Sequence, residues 1–333
     1  MYLSVLFQAI DSSLGRLDYA SLPDQALMEM LIEGFEDVRD ICGTRDSPMD
    51  IAEWNGVELD EGTGNVLKIT WSRRGLKGSL HVDWLPPHIR ELGMWGNQMQ
   101  GTLHLNLLPT QLERIALDGN RFSGAISLTS LPPMLERLCL QSNCLDGSID
   151  LRSLPRAMKA LHLQDNAFTG AIQLGSLPSG IVDINLSSNC LSGSLNIQRL
   201  PESMQSLDLG ANGFDGSIRL DHLPAEMDSI NLSKNKLSGS IDLHHLPAKL
   251  DALSISNNQL NGSLDLTALP DTMSALELGR NNFAGSVEFG FLPERMWCLN
   301  ISDNKDLAGK VEISKSQAKR ITKTNTKIRF QYI

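Results

Sequence analysis

The residues of this sequence that could do chemistry recur with a fixed 23-residue interval. His222 and His245 are separated by that interval, and so are His81 and His104. In a chain that repeats with this period each pair becomes a pair of neighbours, and neighbouring imidazoles can hold a transition metal. Solvated positions on the outside of the chain explain the same histidines without a ligand. We therefore predict no metal site.

The candidate acids and nucleophiles are expected along a single predicted sheet. Asp165, Asp183 and Asp208 should lie on its inner surface, but paired-carboxylate hydrolysis needs a cleft, and an open sheet provides none. Cys139 and Cys298 are expected to face solvent there, and neither is expected to have a histidine partner in an adjacent repeat. Phosphate-binding loops, H-E-x-x-H and G-x-S-x-G are absent. We predict no enzymatic activity and no cofactor.

The interval belongs to an internal repeat. Ten Leu-Pro dipeptides follow one another with this 23-residue period, from Leu85-Pro86 to Leu292-Pro293, without an insertion. A period of this size is typical of a solenoid, in which each unit packs only on its neighbours. Each unit also carries one asparagine in the same phase, at Asn97, Asn120, Asn143, Asn166, Asn189, Asn212, Asn235, Asn258, Asn281 and Asn304.

Apolar and polar residues alternate within a unit. Leu207 and Leu209 alternate with Asp208 and Gly210, and a period of two predicts a short strand with one face inward. Residues 216–220 alternate again, which predicts a second strand on the other side of the coil. A buried asparagine must satisfy both its donors and its acceptor. The stacked asparagines should therefore bond the backbone of adjacent turns as a ladder.

The unit L-x-L-x-x-N-x-[LF]-x-G-[ST]-[LI] resembles a leucine-rich repeat of the plant type. The resemblance implies a right-handed solenoid, a parallel inner sheet of about eleven strands and a helical N-terminal cap. We assign residues 1–65 to the cap, 66–313 to about eleven repeats and 314–333 to a basic C-terminal cap or tail. In plant-type repeats a phenylalanine stack supports the core, and the equivalent positions here hold Phe122, Leu145, Phe168, Leu191, Phe214, Leu237, Leu260 and Phe283.

The cap carries a further resemblance to plant-type proteins. Asp24–Cys42 is predicted to form one amphipathic helix, and Trp54-Asn55-Gly56-Val57 matches the W-x-G-V of such caps. The family places a cysteine pair around that motif. Here those positions hold Ile51, Ala52, Glu58 and Leu59, so no disulfide is expected.

Charge and cysteine usage bear on partners and compartment. Residues 310–333 hold seven Lys/Arg and one acid, which is net +6, against −10 for the whole chain and thus −16 for the rest. An acidic body argues against general nucleic-acid binding. The tail is interpreted as a closing cap, with a basic arm for nucleic acid or anionic lipid as the alternative. Five cysteines without C-x-x-C, a short apolar Met1–Phe7 and no membrane span favour a cytoplasmic protein.

Small polar residues dominate the predicted exposed inner face, and one region differs. Trp95 is expected to point outward there, near four cationic residues: Lys68, Arg73, Arg114 and Arg137. Exposed tryptophan beside arginine is the composition of a binding hot spot. The alternative is that the arginines pair across strands with Glu91, Glu113 and Glu136. We predict a non-catalytic protein-interaction scaffold. A structural subunit of a large assembly and a ligand-recognition module resembling a receptor ectodomain stay open.

Overall fold

The computed structural model describes residues 22–332 of the chain. The short apolar segment Met1–Phe7 and the first part of the predicted cap lie outside the described residues. Residues 57–332 wind into a β-solenoid of about twelve turns with two parallel sheets. The predicted leucine-rich repeat solenoid with a parallel inner sheet is confirmed.

The inner sheet contains one short strand from each turn. Its strands pair in sequence order and in parallel, except that the first, from the cap, runs antiparallel to the second. They are Val57–Leu59, Val66–Thr70, Glu91–Gly93, Arg114–Ala116, Arg137–Cys139, Ala160–His162, Asp183–Asn185, Ser206–Asp208, Ser229–Asn231, Ala252–Ser254, Ala275–Glu277, Cys298–Asn300 and Ile321–Thr322.

The second sheet lies on the other side of the coil, where the repeat predicted a second strand. It has twelve parallel strands: Lys77–Ser79, Gln98–Gly101, Arg121–Ala125, Cys144–Ser148, Ala167–Gly170, Cys190–Ser194, Gly213–Ser217, Lys236–Gly239, Gln259–Leu266, Asn282–Phe289, Asp306–Ile313 and Lys327–Tyr332. Single 3-10 turns occur at Ile51–Glu53, Val82–Trp84, Leu105–Leu107 and Leu174–Ser176.

The basic C-terminal segment forms a further turn of the solenoid. Its α-helix Lys315–Ala318 begins with a capping box at Ser314, in which Gln317 bonds back to the cap. Ile321–Thr322 then extends the inner sheet, and Lys327–Tyr332 extends the second sheet over six residue pairs. Ile321 and Ile328 of this segment are buried against the last repeat.

The N-terminal cap contains two short helices where one long helix was predicted, so that prediction was wrong. The chain is helical over Asp24–Leu31 and again over Arg39–Cys42, followed by a small hairpin of Gly43–Thr44 with Ser47–Pro48. After the first helix the chain pairs with the first strand of the second sheet: Gly34 O accepts the Ser79 N–H, and the Glu36 N–H donates to Lys77 O, both at 2.9 Å. This close approach requires glycine at position 34, where a Cβ would overlap Ser79. The predicted apolar stripe is nevertheless buried in full: Leu27, Leu31, Phe35 and Val38.

Aromatic and aliphatic packing occupies the place of the cap disulfide. Trp71 is fully buried between Phe35 and Trp54, at ring-centroid distances of 5.9 and 6.5 Å. Ile51 and Leu59, two of the residues at the family's cysteine positions, pack against the same core. Burial of such apolar side chains contributes about 1.5–3 kcal/mol each, which is comparable to a native disulfide.

The asparagines of all ten units bond the backbone in the same way. In one of them, Asn212, Nδ2 donates to the carbonyl oxygens of Leu186 in the preceding turn (3.0 Å) and of Leu209 and Gly210 in its own turn (3.2 and 3.1 Å). Its Oδ1 accepts the backbone N–H of Leu191 at 3.0 Å. Each asparagine thus links two turns, and the links hold the inner strands in one register.

Candidate functional site

The register decides which side chains meet on the exposed face of the inner sheet. In the three-residue strands of the repeats the middle residue is buried and the first and third residues are exposed or half-buried, as in Arg137-Leu138-Cys139. Ala160, at the first position of its strand, is the exception and is buried. Neighbouring strands pair residue for residue, so Arg114 opposes Arg137 on one side and Ala160 opposes it on the other. Side chains that are one repeat apart in the sequence are therefore neighbours along the solenoid.

The four predicted cationic residues divide into pairs with different surroundings. Lys68 Nζ lies 2.9 Å from Glu91 Oε2, and Arg114 Nη1 lies 3.8 Å from the same oxygen. Within residues 22–332 no carboxylate oxygen lies within 4.0 Å of the Arg137 guanidinium. The predicted charge pairing across strands therefore occurs at Arg114, loosely, and does not occur at Arg137.

Trp95 does not stand free. The guanidinium of Arg73, from the preceding turn, lies over its ring at 4.2 Å from the centroid. Contacts of this type contribute about 0.5–1 kcal/mol at exposed sites. Trp95 is half-buried beneath this arginine. Arg73 itself has a left-handed backbone, with φ +54°. Arg73 thus covers one face of the indole, and only part of Trp95 can contact a partner.

A thiol, an imidazole and a carboxylate lie in line across three neighbouring strands. Cys139 Sγ is 3.9 Å from His162 Nδ1, and His162 Nε2 is 2.6 Å from Asp183 Oδ2. The expectation that Cys139 has no histidine partner was therefore wrong. His162 follows Cys139 by one 23-residue repeat, so the repeat interval itself contained the signal.

The Asp183 carboxylate favours the protonated form of the His162 imidazole. The hydrogen bond to Asp183 and a weaker one to Cys139 raise the pKa of His162 to about 10, although burial opposes the shift. The same bond lowers the pKa of Asp183. Near neutral pH the ring is thus an imidazolium that donates from both nitrogens, with one N–H directed at the sulfur.

The remaining chemical candidates are dispersed. Asp165 lies in the left-handed turn beyond its strand, with φ +55°, and not on the sheet as predicted. Asp208 binds the side chain of Asn231 at 2.9 Å. His244 is held by Asp242 and Asp265 at 2.8 and 3.1 Å, on the outside of the coil. Within the described part of the chain no group of three His, Cys, Asp or Glu residues has the geometry of a metal site.

Two exposed aromatic residues were missed by the sequence analysis. Phe291 is 100% exposed and Trp297 is 68% exposed, at either end of the connection between Asn282–Phe289 and Cys298–Asn300. Both positions vary along the repeat, where equivalent residues include His245 and Ser274. The available signal was at Trp297, whose position holds a polar or charged residue in every other repeat except at Leu67 and Val182. The position of Phe291 also holds Leu107 and Trp84 and gave no such signal.

Comparison with solved structures identifies proteins of the same architecture. The ectodomain of the plant membrane receptor kinase GASSHO1/SCHENGEN3 from Arabidopsis thaliana aligns with a TM-score of 0.63 at 23% identity, over 92% of this chain and 42% of that one. A plant ice-binding protein aligns at 0.62 and 22% identity, over 80% of this chain and 89% of that one. The Arabidopsis receptor kinase HAESA aligns at 0.53 and 20% identity, over 93% and 62% of the two chains.

These likenesses concern the fold. This chain spans less than two thirds of the length of either receptor structure, each of which was solved with a bound peptide or protein factor. No protein-family model matches the sequence, and comparison with curated proteins gave no significant match. None of the helices within residues 22–332 combines the length and the apolar character needed to cross a bilayer. The 23-residue unit, the asparagine ladder and the structural neighbours together show that this chain has the leucine-rich repeat fold.

Proposed function

We propose that this solenoid is a non-catalytic protein-interaction module whose inner sheet binds an acidic segment of a protein partner. The observation that carries the proposal is the pair of arginines on neighbouring strands. Arg114 and Arg137 are in register and both are exposed. Like charges placed directly opposite each other on a sheet are destabilising. An anionic partner would remove that repulsion.

The surrounding carboxylates neutralise the pair only in part. Glu91 Oε2 lies 2.9 Å from Lys68 Nζ and 3.8 Å from Arg114 Nη1, so Arg114 shares this carboxylate with Lys68. Asp183, two strands beyond Arg137, is bonded to His162. In a chain of net charge −10, these two arginines form a local positive surface for an acidic ligand.

The neighbouring surface is shaped to continue the contact. Beyond Asp183 the first position of each strand is small, at Ser206, Ser229, Ala252 and Ala275, and these residues line a shallow trough of about 330 Å³. An extended polypeptide lying along the solenoid would place its acidic residues at Arg114 and Arg137 and its other side chains in the trough. The half-buried Trp95 would border the acidic end of such a ligand.

Removal of the two arginines tests this proposal. We expect Arg114→Ala with Arg137→Ala to reduce recovery of stoichiometric partners from native lysate at least about tenfold, which corresponds to about 1.4 kcal/mol. The loss should be smaller at high salt, because wild-type binding itself weakens there. Quantitative mass spectrometry of the captured proteins gives the measurement.

A charge-matched variant serves as the control. Arg156→Ala with Arg199→Ala removes the same charge from exposed positions outside the inner sheet and should bind as the wild type does. Equal recovery by both double variants would exclude the arginine pair as the contact.

The exposed aromatics favour a second candidate, which is a structural subunit held by its edge. Phe291 and Trp297 lie outside the inner sheet, and exposed aromatic residues are typical anchors of protein contacts. If Phe291→Ser with Trp297→Ser loses the partners while the arginine variant keeps them, the edge is the interface. The same capture experiment therefore separates the two functions.

We also propose a cytoplasmic location, which rests on the cysteines. Cys144 and Cys190 are exposed and unpaired, and free exposed thiols are uncommon in proteins of oxidising compartments. Titration of denatured, unreduced protein from its native source should count all five thiols. A count of three or one would mean that disulfides form, and would contradict this location.

A further inference from the structure

The five cysteines occupy three kinds of surroundings. Cys42 is buried in the cap, whereas Cys144 and Cys190 are exposed on the second sheet. Cys139 and Cys298 both lie half-buried on the inner sheet, each beside a titratable residue of a neighbouring strand. The chain thus contains a series of thiols that differ in access and in electrostatic partner.

Cys139 has cationic neighbours. The His162 imidazolium faces its sulfur at 3.9 Å, and Arg137 lies two residues earlier on the same strand and the same face. The strand on the other side places Ala116 next to it, and Cys139 is half-buried between the two strands. Reactive thiols are found in electropositive, partially exposed surroundings of this kind, because a cation stabilises the thiolate.

Cys298 shows the opposite arrangement on the same sheet. Its Sγ lies 3.3 Å from the Glu277 carboxylate, which in turn accepts a bond from Asn300. Burial, the hydrogen bond and the charge of Glu277 raise the pKa of this thiol to about 11. Cys298 is therefore an internal reference: a thiol of similar exposure whose neighbour opposes ionisation.

Asp183 positions the imidazole for Cys139. Its Oδ2 is 2.6 Å from His162 Nε2, which fixes the ring plane and leaves Nδ1 directed at the sulfur. The other charged groups near the ring are Arg137 and Asp118, and burial raises the pKa of Asp118. Asp183 thus holds the His162 ring in place, and the ring places its positive charge next to the Cys139 sulfur.

We propose that Cys139 is a modification site that reacts with low-molecular-weight disulfides bearing carboxylates, with His162 stabilising its thiolate and Asp183 positioning His162. In the reaction the thiol proton passes to solvent, and the thiolate attacks one sulfur of the disulfide. A new S–S bond forms to Cys139 as the old one breaks. The departing thiolate carries away the electron pair and takes a proton from solvent. The disulfide is the oxidant, and one thiol is released for each Cys139 modified.

The surface around Cys139 accounts for the preference for an anionic reagent. Arg137 has no carboxylate within 4.0 Å in the described residues, and Arg114 lies in register beside it. A carboxylate on the incoming disulfide would meet these guanidinium groups as the sulfur approaches Cys139. A cationic disulfide would be repelled by the same groups.

Residue-resolved thiol kinetics on the folded full chain test this inference. Iodoacetamide, a neutral reagent, is applied over a series of pH values, and each cysteine-containing peptide is quantified by mass spectrometry. At pH about 6.5 an ordinary thiol of pKa about 8.5 is only about 1% ionised. We expect Cys139 to react at least about tenfold faster than Cys144 and Cys190 at that pH, and Cys298 to be the slowest of the four.

Variants then separate the roles. His162→Gln should bring the Cys139 rate down to that of Cys144 and remove its low-pH advantage, whereas the distant His222→Gln should change neither. Asp183→Asn should shift the Cys139 pH–rate profile to higher pH without removing access. A Cys139 that reacts no faster than Cys144 in the wild type would overturn the inference without reference to any variant. An unchanged rate in a folded His162→Gln protein would also overturn it.

Reagent charge tests the ligand class. Oxidised glutathione, which carries carboxylates, and the dicationic disulfide cystamine are compared as the ratio of their rates at Cys139. We expect the ratio of the glutathione rate to the cystamine rate to be about fivefold higher at Cys139 than at Cys144. In Arg137→Ala, we expect this ratio at Cys139 to fall by about threefold. Equal ratios at Cys139 and Cys144 would contradict the assigned class. Because no protein partner is present, this result is independent of the proposed function.

Discussion

Replacement of Phe214 by alanine is expected to lower the free energy of unfolding by about 3–5 kcal/mol. Phe214 is fully buried, as are Phe122 and Phe168 in the same stacked position of other turns, and Phe283 is 1% exposed. Its ring fills the space between the two sheets, so truncation leaves a cavity that the neighbouring turns cannot close. Chemical denaturation followed by circular dichroism gives the measurement.

Leucine at the same position is the matched control. The chain itself places leucine there in adjacent turns, at Leu191 and Leu237, and both are fully buried. Phe214→Leu should therefore cost no more than about 1.5 kcal/mol. If alanine and leucine destabilised the protein equally, cavity formation would not be the cause. Because distant turns of a solenoid can unfold separately, hydrogen exchange of the flanking turns is needed to show where the loss occurs.

Asn212→Ala is expected to destabilise the protein by about 1–3 kcal/mol. The substitution removes the acceptor of the half-buried Leu191 N–H, at 3.0 Å, and leaves that donor without its partner. It also removes one of two donors to Leu186 O, which keeps its bond from Asn189 Nδ2 at 3.1 Å. The loss should appear as a lower denaturation midpoint with an unchanged slope, since the folded state stays compact.

A second asparagine provides the comparison for this prediction. Asn261 lies in the strand Gln259–Leu266 of the second sheet and is exposed, so Asn261→Ala should stay within about 0.5 kcal/mol of the wild type. A midpoint in Asn212→Ala equal to that of Asn261→Ala would show that the ladder contributes no stability. The ladder would then serve only to select the register.

The ladder matters for the surface as well as for stability. By keeping inner strands in register it places Arg137 between Arg114 and Ala160, and Cys139 between Ala116 and His162. A slip of one residue in a strand would turn these side chains toward the core. The exposed chemistry of this protein therefore depends on buried asparagines that never contact a ligand.

The sequence by itself determined the architecture, because a solenoid is periodic and its pairing is local. The 23-residue interval predicted both strands of each turn and the asparagine ladder. Because His162 follows Cys139 by one 23-residue interval, their contact could also have been predicted from the sequence, but the sequence analysis missed it. Wherever the repeat holds its phase, spacing along the chain converts directly into distance in space.

Only the tertiary structure decided the ends and the side-chain pairings. The cap helix ends at Leu31, and residues 34–36 instead pair with the strand Lys77–Ser79, a contact between segments 43 residues apart that the repeat interval does not relate. The tail forms a turn although it lacks the repeat, because any apolar strand that covers the last core edge is stabilised there. Arg73 covers Trp95, and Glu91 lies closer to Lys68 than to Arg114. These pairings depend on side-chain rotamers and on competition among charges within a few ångströms, which spacing along the sequence does not specify.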